Sequence, residues 1–260
     1  MSGTDVITPM LITFNEAANI DRTLGALGWA KQILVIDSGS TDGTLDSLAA
    51  DPRVRVVYRR FDTFAGQCNY GLSEVATPWV LSMDADYVLT PGFVEELSTL
   101  DLDGDVAGYV AGFRYCIDGR PLRGTLYPPR CVLYRTGRGR YSDYGHGHKV
   151  AVDGVVGRMR GRILHDDRKP LDRWLNSQRN YARQEADYLM SPEAFPGSLG
   201  DRVRRMVWPA APAAFVQAML FKGCILDGRA GWTYALQRVH TEVLVGLELL
   251  DRRARKRADG

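Results

Sequence analysis

The first hundred residues alternate short apolar runs with helix-like stretches, and that alternation restricts the fold more than any other feature. The runs are Met10–Thr13, Ile33–Ile36, Val54–Tyr58 and Trp79–Met83. Between them, Ile20, Leu24 and Leu27 share one helical face, and Leu45, Leu48 and Ala49 share another. This is the pattern of an α/β domain with a mostly parallel sheet and crossover helices. Three of the runs feed polar loops, Thr13–Glu16, Asp37–Thr44 and Asp84-Ala85-Asp86. Loops at the carboxyl ends of strands line the edge where open α/β sheets bind ligands. Asn15 is placed to cap a helix beginning at Glu16, and the segment from Ser38 to Thr44 supplies turn residues and a further N-cap.

The pair Asp84 and Asp86 is a D-x-D triplet directly after Trp79-Val80-Leu81-Ser82-Met83. Two carboxylates one residue apart can hold a divalent cation against a diphosphate. A lone acidic triplet is equally a solvated turn, so its position after a strand carries the reading.

At 260 residues, 45% hydrophobic and 25% charged, the chain can bury a core of one large domain or of one domain with an appendage. Its net charge of +2 conceals an asymmetry. Residues 1–100 carry 6 Lys/Arg against 13 Asp/Glu, net −7, and residues 101–260 carry 27 against 18, net +9. The acidic part suits a cation site and the basic part a surface that meets phosphate, on a substrate or a membrane. Basic and aromatic residues are not interleaved as in nucleic-acid binders, so no nucleic-acid partner is expected. Cys68, Cys116, Cys131 and Cys224 are scattered, which disfavours a disulfide framework and a zinc site and fits a reducing cytosol. The start, Met1-Ser2-Gly3-Thr4-Asp5, does not read as a signal peptide.

From about residue 106 the runs shorten and Gly and Arg become frequent, as in Tyr127–Arg135 and Val150–Gly154. These read as added strands and loops on an acceptor side. Residues 171–190 read as helix, and Pro192, Pro196, Gly197 and Gly200 as a break. The resulting division is a catalytic domain over 1–170, with a donor half 1–105 and an acceptor half 106–170, then a helical, basic region over 171–260. Met206–Leu226 is apolar but interrupted by Pro209, Pro212, Gln217 and Lys222, which makes it a poor transmembrane span. Two readings stay open. One is an interfacial amphipathic element aided by Arg252, Arg253, Arg255, Lys256 and Arg257, and the other is a buried helical hairpin.

Taken in order, Ile12-Thr13-Phe14-Asn15-Glu16, Val35–Thr44 and Leu81–Asp86 resemble family 2 glycosyltransferases of the GT-A (Rossmann-like) fold. The likeness continues through Gln67-Cys68-Asn69, Pro129-Arg130, Val152–Arg158 and Leu164-His165, and is similar to bacterial lipopolysaccharide-core and cell-surface glycan transferases. A looser echo is Lys222–Gly231, a K-G-x-x-D-G-x-x-G stretch. The resemblance implies a nucleotide-sugar donor, a UDP-sugar first, and inverting transfer with Mg²⁺ or Mn²⁺. It also implies a lipid-linked or lipopolysaccharide-type acceptor and a peripheral place on the inner face of the cytoplasmic membrane, with an anionic lipid contact made by a membrane-associating C-terminal extension. By the same resemblance Thr13, Asn15, Glu16 and Asp37 line the nucleoside end, Gln67, Asn69, Asp84 and Arg130 the donor site, and Asp86, Asp84 and His165 the metal, with Asp86 as the direct ligand. His165 is alternatively a structural histidine.

Transfer also needs a base for the acceptor hydroxyl. Relatives show a His-Glu pair before the V-D-G segment, where this chain reads Asp143-Tyr144-Gly145-His146-Gly147-His148. In that register His148 takes the place of the Glu, with Asp143 and His146 as rivals. Cys68 stands where relatives carry Lys, and Tyr87 where many carry Glu, a loss of cation that Arg130 or Arg135 can offset. A sugar nucleotidyltransferase would need a Gly-rich basic loop after the first strand, and the nicotinamide and P-loop fingerprints are absent. A catalytically degenerate, donor-binding or scaffolding relative is the non-enzyme alternative.

Overall fold

The computed structural model describes residues 3–144, 147–194 and 197–258. Its elements run β1 (Ile7–Thr13), α1 (Ile20–Gly25), β2 (Ile33–Asp37), α2 (Thr44–Ala49), β3 (Val54–Tyr58), α3 (Phe64–Glu74), β4 (Trp79–Asp84), β5 (Tyr87–Leu89) and α4 (Pro91–Thr99). Then follow β6 (Val106–Ile117), β7 (Arg120–Pro121), β8 (Arg130–Arg135), β9 (Gly139–Tyr144), β10 (Gly147–Val152) and β11 (Val155–His165). The rest is helical: α5 (Leu171–Met190), α6 (Leu199–Met206), α7 (Ala210–Val216) and α8 (Gly228–Ala258). Contacts group the chain into two units. The first comprises Met1–Pro121, Tyr127–Asp143 and His148–Arg168, and the second Leu122–Leu126, Tyr144–Gly147 and Lys169–Gly260.

In the first unit the sheet order is β3-β2-β1-β4-β8-β6-β11-β5, with β7 paired to β6, and β9 and β10 form a separate two-stranded sheet. The β3-β2-β1-β4 half is parallel throughout, and β8 then runs antiparallel to both β4 and β6. The strands continue the parallel theme at β6 and β11 and close with antiparallel β5. β2 is buried at all five positions, as a strand covered on both faces should be. Leu11, Val35 and Leu81 pack on one side with Ile20 and Leu24 of α1, Leu27 just after it, and Phe93 and Leu97 of α4. Met10, Leu34, Ile36 and Val80 pack on the other with Ala65 and Cys68 of α3 and Tyr134. Each large apolar side chain so buried contributes about 1.5–3 kcal/mol.

Helix starts follow local chemistry. Thr63 caps α3 by accepting from Gly66 N, and Thr90 caps α4 by accepting from Phe93 N, with Pro91 as first helical residue. The expected cap at Asn15 is corrected: α1 begins at Ile20, and Asn15 sits at φ 57° in the connecting loop. Before α2, Gly43 takes φ 90° and Asp42 accepts from both Thr44 N and Thr44 Oγ1.

In the second unit α5 packs on α8 through Ala182, Ala186, Leu189, Val245 and Leu249. Arg204 of α6 bridges Glu185 and Glu242 at 3.1 and 2.7 Å. The Lys222–Gly231 stretch acquires a backbone reason. Gly223 and Gly228 adopt φ 72° and 58° around a short helical turn, Cys224–Asp227, and a Cβ on Gly231 would meet the Cys224 carbonyl at 1.8 Å. Asp227 accepts from Arg123 N and pairs with the Arg123 guanidinium.

Gly161 of β11 lies under α4, where an added Cβ would come within 2.4 Å of Phe93 Cα, whereas Gly112 of β6 has nothing within 4 Å. Gly161→Ala should therefore destabilise the protein by ~1–3 kcal/mol in chemical denaturation. Gly112→Ala should be close to neutral in the same measurement, and equal effects would contradict this packing.

Candidate active site

The parallel register determines what meets at the carboxyl edge. Thr13 pairs with Asp37 and Ile12 with Asp84, so three strands end side by side. Asp37 is buried and accepts four hydrogen bonds: from Gly39 N and Ser40 N at 2.8 Å each, from Thr13 Oγ1 at 2.8 Å and from Ser40 Oγ at 2.5 Å. Gly39 turns the chain at φ 95° to permit this. Asn15 laces the two loops together: its N–H donates to Ser40 Oγ at 2.8 Å and its Oδ1 accepts from Thr41 N at 2.7 Å. Glu16 N donates to Thr44 Oγ1 at 2.7 Å.

Gln67 and Asn69 of α3 face the same edge, and both bind protein. Gln67 donates to Ser38 Oγ and the Arg59 carbonyl and accepts from Arg59. Asn69 exchanges two hydrogen bonds with the Tyr141 backbone at 2.9 and 3.0 Å, fixing β9 against α3. Cys68 is buried between them and packs with Met10 and Ile36, and burial pushes its thiol far up. A neutral thiol supplies none of the charge that a Lys would bring there.

The D-x-D turn is held from two sides, by Thr23 Oγ1 donating to the Ala85 carbonyl at 2.7 Å and by Asp166 N donating to the Asp86 carbonyl at 3.0 Å. Burial opposes ionisation of Asp84. His148 when protonated, Arg130 at every pH and the Tyr87 hydroxyl favour it, and the carboxyl ends below its ordinary range. Arg130 lies over the Tyr127 ring at 4.8 Å and forms no salt bridge among the described residues. Its charge, raised further in pKa by Tyr87, Tyr127 and Asp84 against the cost of burial, is therefore available to a ligand anion. Arg135 is not a substitute cation, because it stacks on Trp79 and donates to the carbonyls of Leu102, Gly104 and Val106.

Asp86 Oδ2 lies 3.1 Å from His165 Nε2, and His165 is boxed by the rings of Tyr87, Tyr115 and Tyr127 at 4.7–5.4 Å. Asp86 Oδ1 and His165 Nδ1 are both buried with no hydrogen-bond partner among the described residues. Buried polar atoms are normally satisfied, so an orphan carboxylate oxygen beside an imidazole fits an additional ligand at this point. Among the described residues no three His, Cys, Asp or Glu side chains converge as a complete metal cage. Asp86 and His165 are donors that Mn²⁺ accepts, and substrate phosphates and water commonly supply the remainder of such a shell.

Across the site, His148 of β10 packs against Phe64 at 5.7 Å and Tyr141 at 5.2 Å. Burial lowers its pKa, Asp84 and Asp143 pull it up, Arg130 pushes it down, and the result is below the ordinary value. Asp143 accepts from Ala65 N at 3.1 Å at the start of α3. His146 lies outside the described residues. Sequence reasoning missed Tyr127, and it missed Asn19 with Asp166-Asp167-Arg168. Asn19 donates to Glu16 and Asp167 and accepts from Arg168 N and Arg22, and Asp166 pairs with Arg22 and Arg168. The charged triplet directly after His165 was the available signal.

Because all four acceptor positions of Asp37 are used, Asp37→Asn should cost about 1–3 kcal/mol of stability, as one acceptor becomes a donor facing a donor. A thermal melt checks this, and an unchanged midpoint would show that the loop does not depend on the carboxylate.

Comparison with known proteins agrees with this arrangement. The family described as glycosyl transferase family 2 matches residues 10–150, more than half of the chain. The chain is 26% identical over 264 residues to the lipopolysaccharide core biosynthesis glycosyltransferase LpsC of Rhizobium meliloti, covering 96% of this chain and 94% of that one. It is 29% identical over 109 residues to an uncharacterized glycosyltransferase of Rickettsia bellii, 42% of this chain and 37% of the relative. Among solved structures, S. aureus TarS 1–349 in complex with UDP-GlcNAc is similar at a TM-score of 0.49 and 11% identity, covering 95% and 91% of the two chains, a likeness too distant to carry an argument. The three ordered loops on one sheet edge, with the family match that spans them, show that the chain is a glycosyltransferase and belongs to glycosyl transferase family 2.

Proposed function

We propose that the protein moves a sugar, with inversion, from a UDP-sugar to a lipid-linked or lipopolysaccharide-type acceptor in cell-envelope glycan synthesis. It does so with Mg²⁺ or Mn²⁺, as a peripheral protein on the inner face of the cytoplasmic membrane. One observation carries the reading: at the carboxyl end of β4, Asp86 Oδ1 is buried beside His165 with no partner among the described residues, while Arg130 acts on Asp84 and forms no salt bridge among them. The relative named for lipopolysaccharide core biosynthesis supports the acceptor class.

Asp86 and His165 would hold the cation, which when bound supplies Lewis-acid neutralisation of the leaving diphosphate. Arg130 adds fixed positive charge where the diphosphate departs. Thr13–Glu16 and Asp37–Thr44 form the nucleoside end, and a ligand contact to Asp37 requires exchange of one of its four present donors. The acceptor oxygen forms a bond to the anomeric carbon as the bond from that carbon to the phosphate oxygen breaks. The electron pair leaves with the nucleoside diphosphate, and the hydroxyl proton passes to a base. His148 suits that task because its lowered pKa leaves it neutral near pH 7, with Asp143 as the rival carboxylate.

The direct test is transfer across a panel of UDP-, GDP- and ADP-sugars with Mn²⁺ or Mg²⁺. Asp86→Ala should lose about a hundredfold or more in kcat, and full turnover in that variant would remove the metal role. The sign of the pH dependence follows from the base. His148 must be deprotonated, so kcat should fall as pH drops through a midpoint below the ordinary histidine value of about 6.5. His148→Gln should lose ~10²–10⁴-fold and abolish that limb. If the limb survives in His148→Gln and disappears in Asp143→Asn, Asp143 is the base. Donor binding in calorimetry without transfer to any extract-derived acceptor would favour the degenerate alternative.

A further inference from the structure

Helix α8 is apolar on two faces, one packed on α5 through Val245 and Leu249 and one uncovered. Every fully exposed residue between positions 231 and 250 is large and apolar: Trp232, Leu236, Val243, Leu247 and Leu250, each 45–59% exposed. At about 100° per residue these five fall within roughly 60° of arc, a stripe about 27 Å long. Arg229 and Arg257, both exposed, occupy the same arc at its two ends. The polar groups point the other way. Glu242 is buried on Arg204, and Thr241 donates to Gln178 at 2.8 Å. A contiguous stripe of large apolar side chains left exposed on a helix whose other apolar face is already packed is a patch that normally marks an interaction surface.

The same unit exposes a second apolar feature at the bend before α8, where Leu220, Phe221, Ile225 and Leu226 surround exposed Lys222. Among the described residues no single helix is long and apolar enough to cross a membrane. The pair Ala210–Phe221 and Cys224–Ala258, bent by 71°, meets that composition only jointly. Residues 169–260 carry 15 Lys/Arg against 10 Asp/Glu, net +5, and Glu185, Glu242 and Asp201 among the acids are buried. A second copy of the chain would bring a like-charged surface, while an anionic bilayer complements both the charge and the apolar stripe.

We propose that the outer face of α8, from Trp232 to Leu250, lies in the headgroup–acyl boundary of an anionic bilayer, with Arg229, Lys222 and Arg257 on lipid phosphates. This rests on the membrane-face location proposed above and names its seat: a helix lying along the surface, with the bend before it as a shallow wedge. It resolves the apolar stretch Met206–Leu226 into a small part of a larger surface whose main element lies outside it.

The test is co-sedimentation of the full chain with phosphatidylcholine vesicles, with and without phosphatidylglycerol. It compares wild type, Leu236→Ser/Leu247→Ser and Val56→Ser, an exposed apolar residue of β3. Helical content by circular dichroism and soluble donor hydrolysis verify that each variant is folded and active. Wild type and Val56→Ser should bind the anionic vesicles, and the double variant should bind at least about tenfold more weakly, since each lost Leu removes apolar transfer energy. Unchanged binding by the double variant would overturn the α8 assignment and leave the membrane location standing. No binding by wild type would overturn both. A wild-type dimer in light scattering that the double variant abolishes would assign the face to a second copy.

Discussion

The parallel pairing of β1 with β2 on one side and β4 on the other is the constraint on which the site depends. Because Thr13 sits opposite Asp37 and Ile12 opposite Asp84, three strands release their chains at one edge, and three polar loops meet there without long excursions. The pairing is held by apolar side chains on both faces, with Leu11, Val35 and Leu81 on one and Met10, Ile36 and Val80 on the other. A one-residue slip would reverse those faces, so the core specifies the register and the register specifies the site.

Electrostatics divides that edge into a satisfied end and an unsatisfied one. At the Thr13–Asp37 end Asp37, Asn15 and Gln67 spend their hydrogen bonds on the protein, which ties the two loops together. At the D-x-D end Asp86 Oδ1 and His165 Nδ1 are buried without partners among the described residues, and Arg130 forms no salt bridge among them. A preorganised binding end and an electrostatically incomplete reacting end are what transfer of a charged leaving group requires. The replacements at Cys68 and Tyr87 sit within this scheme. The thiol fills apolar space between α3 and the sheet, and the Tyr87 hydroxyl hydrogen-bonds the Tyr127 hydroxyl while its ring walls His165.

The helical unit buries an ordinary apolar seam between α5 and α8 and leaves a second apolar face of α8 exposed. Arg204 draws Glu185 and Glu242 inward, and the outward positions of α8 are left to Trp, Leu and Val. Glycines make the bend before α8 possible, since Gly223 and Gly228 take positive φ and Gly231 allows the Cys224 carbonyl within a distance no side chain tolerates.

Much of this was legible from residue order. The four apolar runs became β1 to β4, three of them extended by one to three residues, residues 171–190 became α5, and the loop motifs marked the sheet edge where three polar loops meet, because periodicity and turn chemistry are local properties of the chain. Side-chain partnership was not legible. Asn15 read as a helix cap and instead joins two loops across 26 positions, and Asp37 read as a ligand contact and is filled by its own turn. Tyr127 carried no motif, and it and Asp166 are placed by β8 and β11 returning to the sheet, where the residues after β11 meet Asn19 from the loop before α1. The sequence alone determined the fold class and the family, since apolar spacing and ordered motifs encode both. Only the tertiary structure decided which polar atoms are left unpaired and which face of α8 stays uncovered, because both depend on residues far apart in the chain.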